Sequence, residues 1–400
     1  MTIQSAYPQS PRLWKLLLIS VVASFCALLP SDALIAFSHW FHASEAKAQG
    51  ILSWYLLGYA CGPLLYGPLS NFYGRKKALF IGLIIALLGM SLSTLSFFFH
   101  ALPGFLFGRC LAGIGASAGM IIAMIIVNET NHPTEARKKF SIIVLCFSFT
   151  PALAMALGGI LITHMGILSL VLLMPLIVLV VIAVALTLHE TYQGDPITID
   201  IRSLSRTYLT TLTNNRFITL ALVMTAATAI TYIFNGVSPL VAIHHLHLSP
   251  EQYGELAIIP STGLFFGALT SAYLSHHVSP RRIVLAALII AVCAASLMVV
   301  AFILHAINLI TLLLPAAVMF FSAAIIIPNT SMSVLHQSDN PAIAASILNS
   351  FALFLSSILV SITGISYTIS PIALPAILLV LSIIGIFSLL LNQRTTRIAI

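Results

Sequence analysis

Residues 61–79 read CGPLLYGPLSNFYGRKKAL. The stretch runs out of an apolar segment into a short basic tip, and a second apolar segment begins at once. Gly67, Pro68 and Gly74 interrupt helical regularity where the chain must turn. Arg75, Lys76 and Lys77 put three cations in a very short loop. In a chain that crosses a membrane, short loops rich in Lys and Arg stay on the cytoplasmic side. The reading of the whole chain turns on whether the flanking apolar segments are spans.

Composition decides that they are. The chain is 60% apolar and 7% charged, against roughly 25% charged in soluble domains. Repeated apolar runs of about 20 residues point to an all-α polytopic membrane protein. The formal charge of +7 does not point to nucleic acid, because the cations sit in short loops rather than on a solvated basic face. Cys26, Cys61, Cys110, Cys146 and Cys293 fall inside apolar runs without metal-ligand spacing, and are expected to be buried spectators. Arg12 and Lys15 precede a first apolar run too long for a signal-peptide core, so that run is expected to remain as a span.

Twelve spans are expected, at roughly 16–36, 50–69, 78–98, 105–127, 140–164, 167–188, 217–240, 253–274, 283–305, 309–334, 342–367 and 372–391. Residues 189–215 are polar and scattered with Arg, and read as a linker between two six-helix bundles, 1–188 and 216–400. With both termini cytoplasmic, the basic loops all fall inside, Lys47 is the one cation in an outer loop, and Arg109 alone lies within the membrane. The segment 275–282, SHHVSPRR, is a degenerate echo of the loop after the second span. Such a repeat of halves places a site near the midplane between them.

Gly67, Ser70, Asn71, Gly74, Arg75 and Lys76 resemble the loop 2–3 signature of the major facilitator superfamily, G-x-x-(S/A)-D-x-x-G-R-(K/R), with Asn71 in place of the Asp. Further segments resemble the bicyclomycin-resistance (Bcr/CflA-type) drug:proton antiporters. Asp32 matches the Asp of the D-x-Y-L-P segment, and residues 62–70 match G-Q-L-L-Y-G-P-L-S with Pro63 for Gln. Gly108-Arg109 with Gly113 and Gly115 fits R-x-x-x-G-x-G. Pro151 with Gly158-Gly159 resembles P-x-x-x-P-x-x-G-G, with Met155 for the second Pro. Glu190-Thr191 resembles the E-T signature after the sixth span, and Ser238-Pro239 and Pro328-Asn329 also fit. The resemblance implies a gate built on the loop 2–3 motif, a bendable fifth span and no cofactor, the proton gradient supplying the energy. It also implies a monomer in the cell inner membrane that exports small amphipathic molecules. The other expectation is a carrier of a specific metabolite such as an organic acid or siderophore.

Two charges carry the expected mechanism. A carboxylate in the hydrocarbon core is costly and normally faces a cavity, which makes Asp32 the candidate proton carrier. The other reading is a carboxylate near the outer end of the first span, reached by water. Arg109 cannot lose its proton and must be paired; it could pair with Asp32, touch substrate or brace spans through backbone carbonyls. Both are expected to face the central cavity, and Arg75 to act across the inner gate. Glu129 and Glu255, at span ends, are expected to be solvated. Tyr59, Tyr66, Tyr232, Phe234 and Asn235 are candidate cavity residues, beside Phe265. His244, His245 and His247 have no evident carboxylate partner, so metal binding is not expected. No phosphate loop occurs, and no cluster of catalytic residues suggests an enzyme.

Overall fold

The computed structural model describes residues 10–192, 201–274, 277–336 and 341–397. Among these residues the chain is helical throughout, with no strand. In order, the helices are α1 (Leu13–Leu28), α2 (Leu34–Trp40), α3 (Glu45–Ala48), α4 (Gly50–Tyr73), α5 (Arg75–Phe98), α6 (Leu102–Ala116), α7 (Ala118–Thr130), α8 (Pro133–Met165) and α9 (Ile167–Leu186). They continue as α10 (Ile201–Leu212), α11 (Asn215–Leu246), α12 (Pro250–Leu256), α13 (Ile258–Leu274), α14 (Pro280–Ile303), α15 (Leu309–His336), α16 (Pro341–Tyr367) and α17 (Ala373–Arg397).

Eleven helical segments of the described chain are long and apolar enough to cross a membrane. The expected second span is α4, a helix of 24 residues whose Trp54, Tyr55, Tyr59, Tyr66, prolines and serines dilute its apolar character. Lipid supplies no hydrogen bonds, so each span satisfies its backbone internally as a helix. Three spans are each built from two helices: α1 and α2, α6 and α7, and α12 and α13.

Helices α1–α9 pack mainly on one another, as do α11–α17, and two seams join these sets: α4 against α16, and α8 against α12 and α13. Part of the expected linker is helical. Residues 193–200 lie outside the described residues, but α10 is a helix that contacts α11 and α16. Its Tyr208 hydroxyl donates to the Leu64 carbonyl at 3.1 Å. The cysteines are all free, but only Cys26 is buried; Cys110 and Cys146 are half-buried, and Cys61 and Cys293 are exposed. In a chain this apolar, an outward position on a span is as suitable for a thiol as an inward one.

Candidate functional site

The site begins with a break in the first span. Pro30 has no N–H to donate to the carbonyl four residues back, which belongs to Cys26. Helix α1 ends at Leu28, and Ser31–Ala33 form a single 3-10 turn before α2 resumes. The last carbonyls of any helix lack intrahelical partners. Here Arg109 supplies them: its Nη1 donates to Cys26 O at 2.9 Å and its Nη2 to Ala27 O at 3.2 Å. Its Nε donates to Ile51 O at 3.1 Å, and Tyr55 lies beneath the guanidinium, 4.4 Å from ring centroid to Cζ. The Tyr55 hydroxyl donates to Ala23 O at 2.9 Å. Arg109 is fully buried, and a cation at the negative end of a helix is favourably placed.

This geometry corrects the expectation for Arg109. Its partners lie on α1 and α4, with Met90 of α5 and Met174 of α9 beside it. All belong to the first helix set, and no ion pair with Asp32 forms among the described residues. Arg109 is a brace on the break, rather than a residue facing the space between the sets. Brace was one of three readings open to the sequence, because spacing alone does not reveal which neighbour presents free carbonyls.

Asp32 sits in the 3-10 turn, 2% exposed. The turn packs against α8 of the first set and against α11 and α12 of the second. Neither carboxylate oxygen, nor the Ser31 hydroxyl, has a hydrogen-bond partner among the described residues. The Tyr253 phenol is within electrostatic reach of Asp32 and shares a hydrogen bond with the Ser238 hydroxyl. Asp32 is therefore an enclosed carboxyl at the junction of the two sets, not a carboxylate at an open helix end.

Glycine permits this junction. A Cβ on Gly158 would stand 2.2 Å from Leu29 O, and one on Gly159 would stand 2.4 Å from Pro250 O. One face of α8 thus touches the break in the first span and the next touches the start of α12. Pro151 lies within α8, which continues as one helix from Pro133 to Met165. At the end of the molecule opposite the basic loops, two further contacts cross between the sets. His164 Nε2 approaches Glu251 Oε2 at 3.1 Å, and His244 Nε2 approaches Glu45 Oε1 at 2.8 Å. His244 thus has the carboxylate partner that the sequence did not reveal. Gln49, fully buried with neither amide atom hydrogen-bonded among the described residues, lies against Gly236 of α11 and Gly364 of α16.

The aromatic candidates divide. Tyr59 of α4 and Tyr232 of α11 lie within electrostatic reach of each other across the two sets. Asn235 is buried on α11. Phe234 is not a cavity residue: it is fully buried and packs edge-on against Phe320 of α15 at 5.6 Å. Tyr66 is 1% exposed and lies against Gly82 of α5. Phe265 meets Phe149 across the α8–α13 seam at 5.5 Å.

At the basic end, the loop motif closes on its own helix set. Arg75 bonds Glu129 through Nε at 3.1 Å and through Nη2, and its Nη1 donates to Ser70 O at 2.6 Å and Asn71 Oδ1 at 2.8 Å. The Ser70 hydroxyl donates to Gly67 O at 2.8 Å. Glu129 is therefore an ion-pair partner, not a solvated span end, whereas Glu255 is exposed as expected. Gly74 takes φ +89° and offers α5 no capping side chain. Glu190 caps it instead, accepting from Arg75 N at 2.8 Å and Lys76 N at 3.1 Å. These partners replace the expected contacts of Arg75 across the gate. In the sequence Glu190 is only part of a signature, since its role depends on a fold that returns the end of α9 to the start of α5.

The sequence matches the Major Facilitator Superfamily over residues 16–362. It is 25% identical to "Multidrug resistance protein D" of Escherichia coli (strain K12) over 314 residues, 78% of each chain. It is 26% identical over 256 residues to "Chloramphenicol resistance protein CraA" of Acinetobacter baumannii, covering 62% of this chain and 60% of the relative. A D-xylose-proton symporter of known structure superposes with a TM-score of 0.75 at 14% identity, covering 95% of this chain and 96% of the other. With that match across most of its length and a helical architecture shared with a solved transporter, this chain belongs to the Major Facilitator Superfamily.

Proposed function

We propose that the protein is a proton-coupled exporter of small amphipathic molecules, of the Bcr/CflA-type branch, working by alternating access. In this reading residues 1–188 and 216–400 are two bundles joined by a linker at 189–215, with both termini cytoplasmic at the inner membrane. Relatives named for multidrug and chloramphenicol resistance support export. The observation that carries the mechanism is Asp32, enclosed at the seam of the two helix sets with neither oxygen bonded.

A bare charge without partners is expensive to bury, and that cost is avoided while the carboxyl holds a proton. Rocking of the sets would expose the break in the first span to one side and then the other. On the side of higher proton activity Asp32 loads; on the other, water or a cationic substrate draws the proton off. Opposed occupancy by proton and substrate converts the gradient into export. A ligand shifts the two-state equilibrium only by its differential affinity for the states, so losing the titrating group uncouples transport. In proteoliposomes with an imposed pH gradient, Asp32→Asn is expected to keep the fold and lose uphill efflux of chloramphenicol or a fluorescent amphipathic dye. Full uphill transport by this variant would show that the proton travels elsewhere.

A further inference from the structure

We propose that a cleft between the first span and the end of the sixth holds an anionic phospholipid. The cleft is an open groove of about 480 Å³ at the basic end, and its lining includes Arg12, Trp14, Lys15, Val180, Val184 and Thr187. Arg12 is exposed immediately before α1, and Trp14 is 48% exposed beside it. Val180 and Val184 lie on the last turns of α9, Val180 being 53% exposed. The cleft is thus cationic towards one end and apolar towards the other. An aromatic ring with a polar N–H stands at the rim, the level at which Trp settles in a bilayer.

Local charge selects the occupant. Lys15 Nζ donates to Thr187 O at 3.3 Å, and Lys76 Nζ to Leu186 O at 2.9 Å. Each ammonium has three donors, so Lys15 keeps two free while its position is held. Neither Arg12 nor Lys15 forms an ion pair with a carboxylate among the described residues. The nearest acid in sequence to the end of α9, Glu190, is committed to backbone N–H groups of Arg75, Lys76, Thr191 and Tyr192. Among the described residues the two cations therefore meet no competing carboxylate. A soluble phosphate would satisfy the cations but leave the valines bare. A zwitterionic lipid would fill the groove but bring its own cation. A phospholipid of net negative charge meets both requirements, its phosphate on Arg12 and Lys15 and its first acyl segment along Val180 and Val184. Basic pockets between spans are known to hold such headgroups.

The test uses the full-length protein in detergent, with native mass spectrometry to count retained lipid. Phosphatidylglycerol is expected to be retained in preference to phosphatidylcholine. Each juxtamembrane cation contributes about fivefold in affinity, so Arg12→Gln with Lys15→Gln should weaken phosphatidylglycerol binding by roughly 25-fold. Val184→Trp leaves every charge in place but fills the groove, and it should also displace the lipid. Arg206→Gln with Arg282→Gln removes two exposed cations elsewhere and should change nothing. Equal loss in that control would reduce the effect to general charge attraction and overturn the proposal. Unchanged binding in Val184→Trp, or competition by glycerol phosphate as strong as by the whole lipid, would overturn it too.

Discussion

Arg109 and Glu190 do the same kind of work at opposite ends of the first helix set. Each satisfies a helix terminus that its own sequence leaves open: Arg109 the carbonyls exposed by Pro30, Glu190 the N–H groups exposed after Gly74. Arg109→Leu leaves two buried carbonyls without donors, at about 1–3 kcal/mol each. It is expected to lower the Tm of the purified protein clearly. Arg109→Lys keeps the charge but loses the planar fork, so one ammonium must replace contacts to Cys26, Ala27 and Ile51. We expect an intermediate Tm and impaired transport, and a wild-type Tm for Arg109→Lys would contradict the bracing role. Glu190→Ala removes a cap and should cost about 1 kcal/mol. Glu190→Gln, which retains an acceptor oxygen, should recover part of the loss in the same thermal assay.

Among the elements, α8 is the one whose neighbours on both sides matter. Its Gly158 leaves room for the carbonyl of Leu29, and its Gly159 leaves room for that of Pro250. Interiors are packed too tightly to absorb a misplaced methyl without movement. Gly158→Ala must push against the break in the first span and so displace Asp32. Gly159→Ala must push against α12, at the seam between the sets. The two neighbouring substitutions should therefore differ in kind. Gly158→Ala is expected to impair transport even where spin-label distances between the sets are unchanged. Gly159→Ala is expected to lengthen distances across the end opposite the basic loops. Identical outcomes for both would mean that α8 yields as a whole and does not partition its two contacts.

At the level of the whole molecule, the described state is held at that far end by cross-set contacts: His164 with Glu251, His244 with Glu45, and α8 against α12. Ser31, Asp32 and Gln49 are also buried, their side-chain polar atoms without hydrogen-bond partners among the described residues. Leaving such groups unbonded is costly, and opening the far end would hydrate them. The closed arrangement is thus balanced between contacts that favour it and polar groups that oppose it. Removing both carboxylates with Glu45→Gln and Glu251→Gln should shift the population towards opening. Spin labels at Lys47→Cys and His305→Cys, measured by double electron–electron resonance, should then report a larger fraction of long distances. An unchanged distribution would place the closing energy in the glycine-lined seam alone.

Much of this protein was legible in one dimension. Apolar runs long enough to span a bilayer, and cations confined to a few short loops, follow from the cost of placing polar groups in hydrocarbon. That cost acts on every residue separately, so composition and order suffice to read it. The same cost singled out Asp32 and Arg109 as the charges that required an explanation. What each does depended on tertiary structure. Pro30 foretells a free carbonyl at Cys26, but only packing brings Arg109 to it. Gly158 and Gly159 read as flexibility in α8, yet they serve close approach to two different neighbours. Phe234 and Tyr232 stand two residues apart with the same sequence credentials, and one fills the core while the other lies within electrostatic reach of Tyr59 in the other set. In a helix that is apolar on every side, periodicity carries little information about which face meets lipid, core or partner. That assignment is made by the neighbours, and it appears only when the helices are packed together.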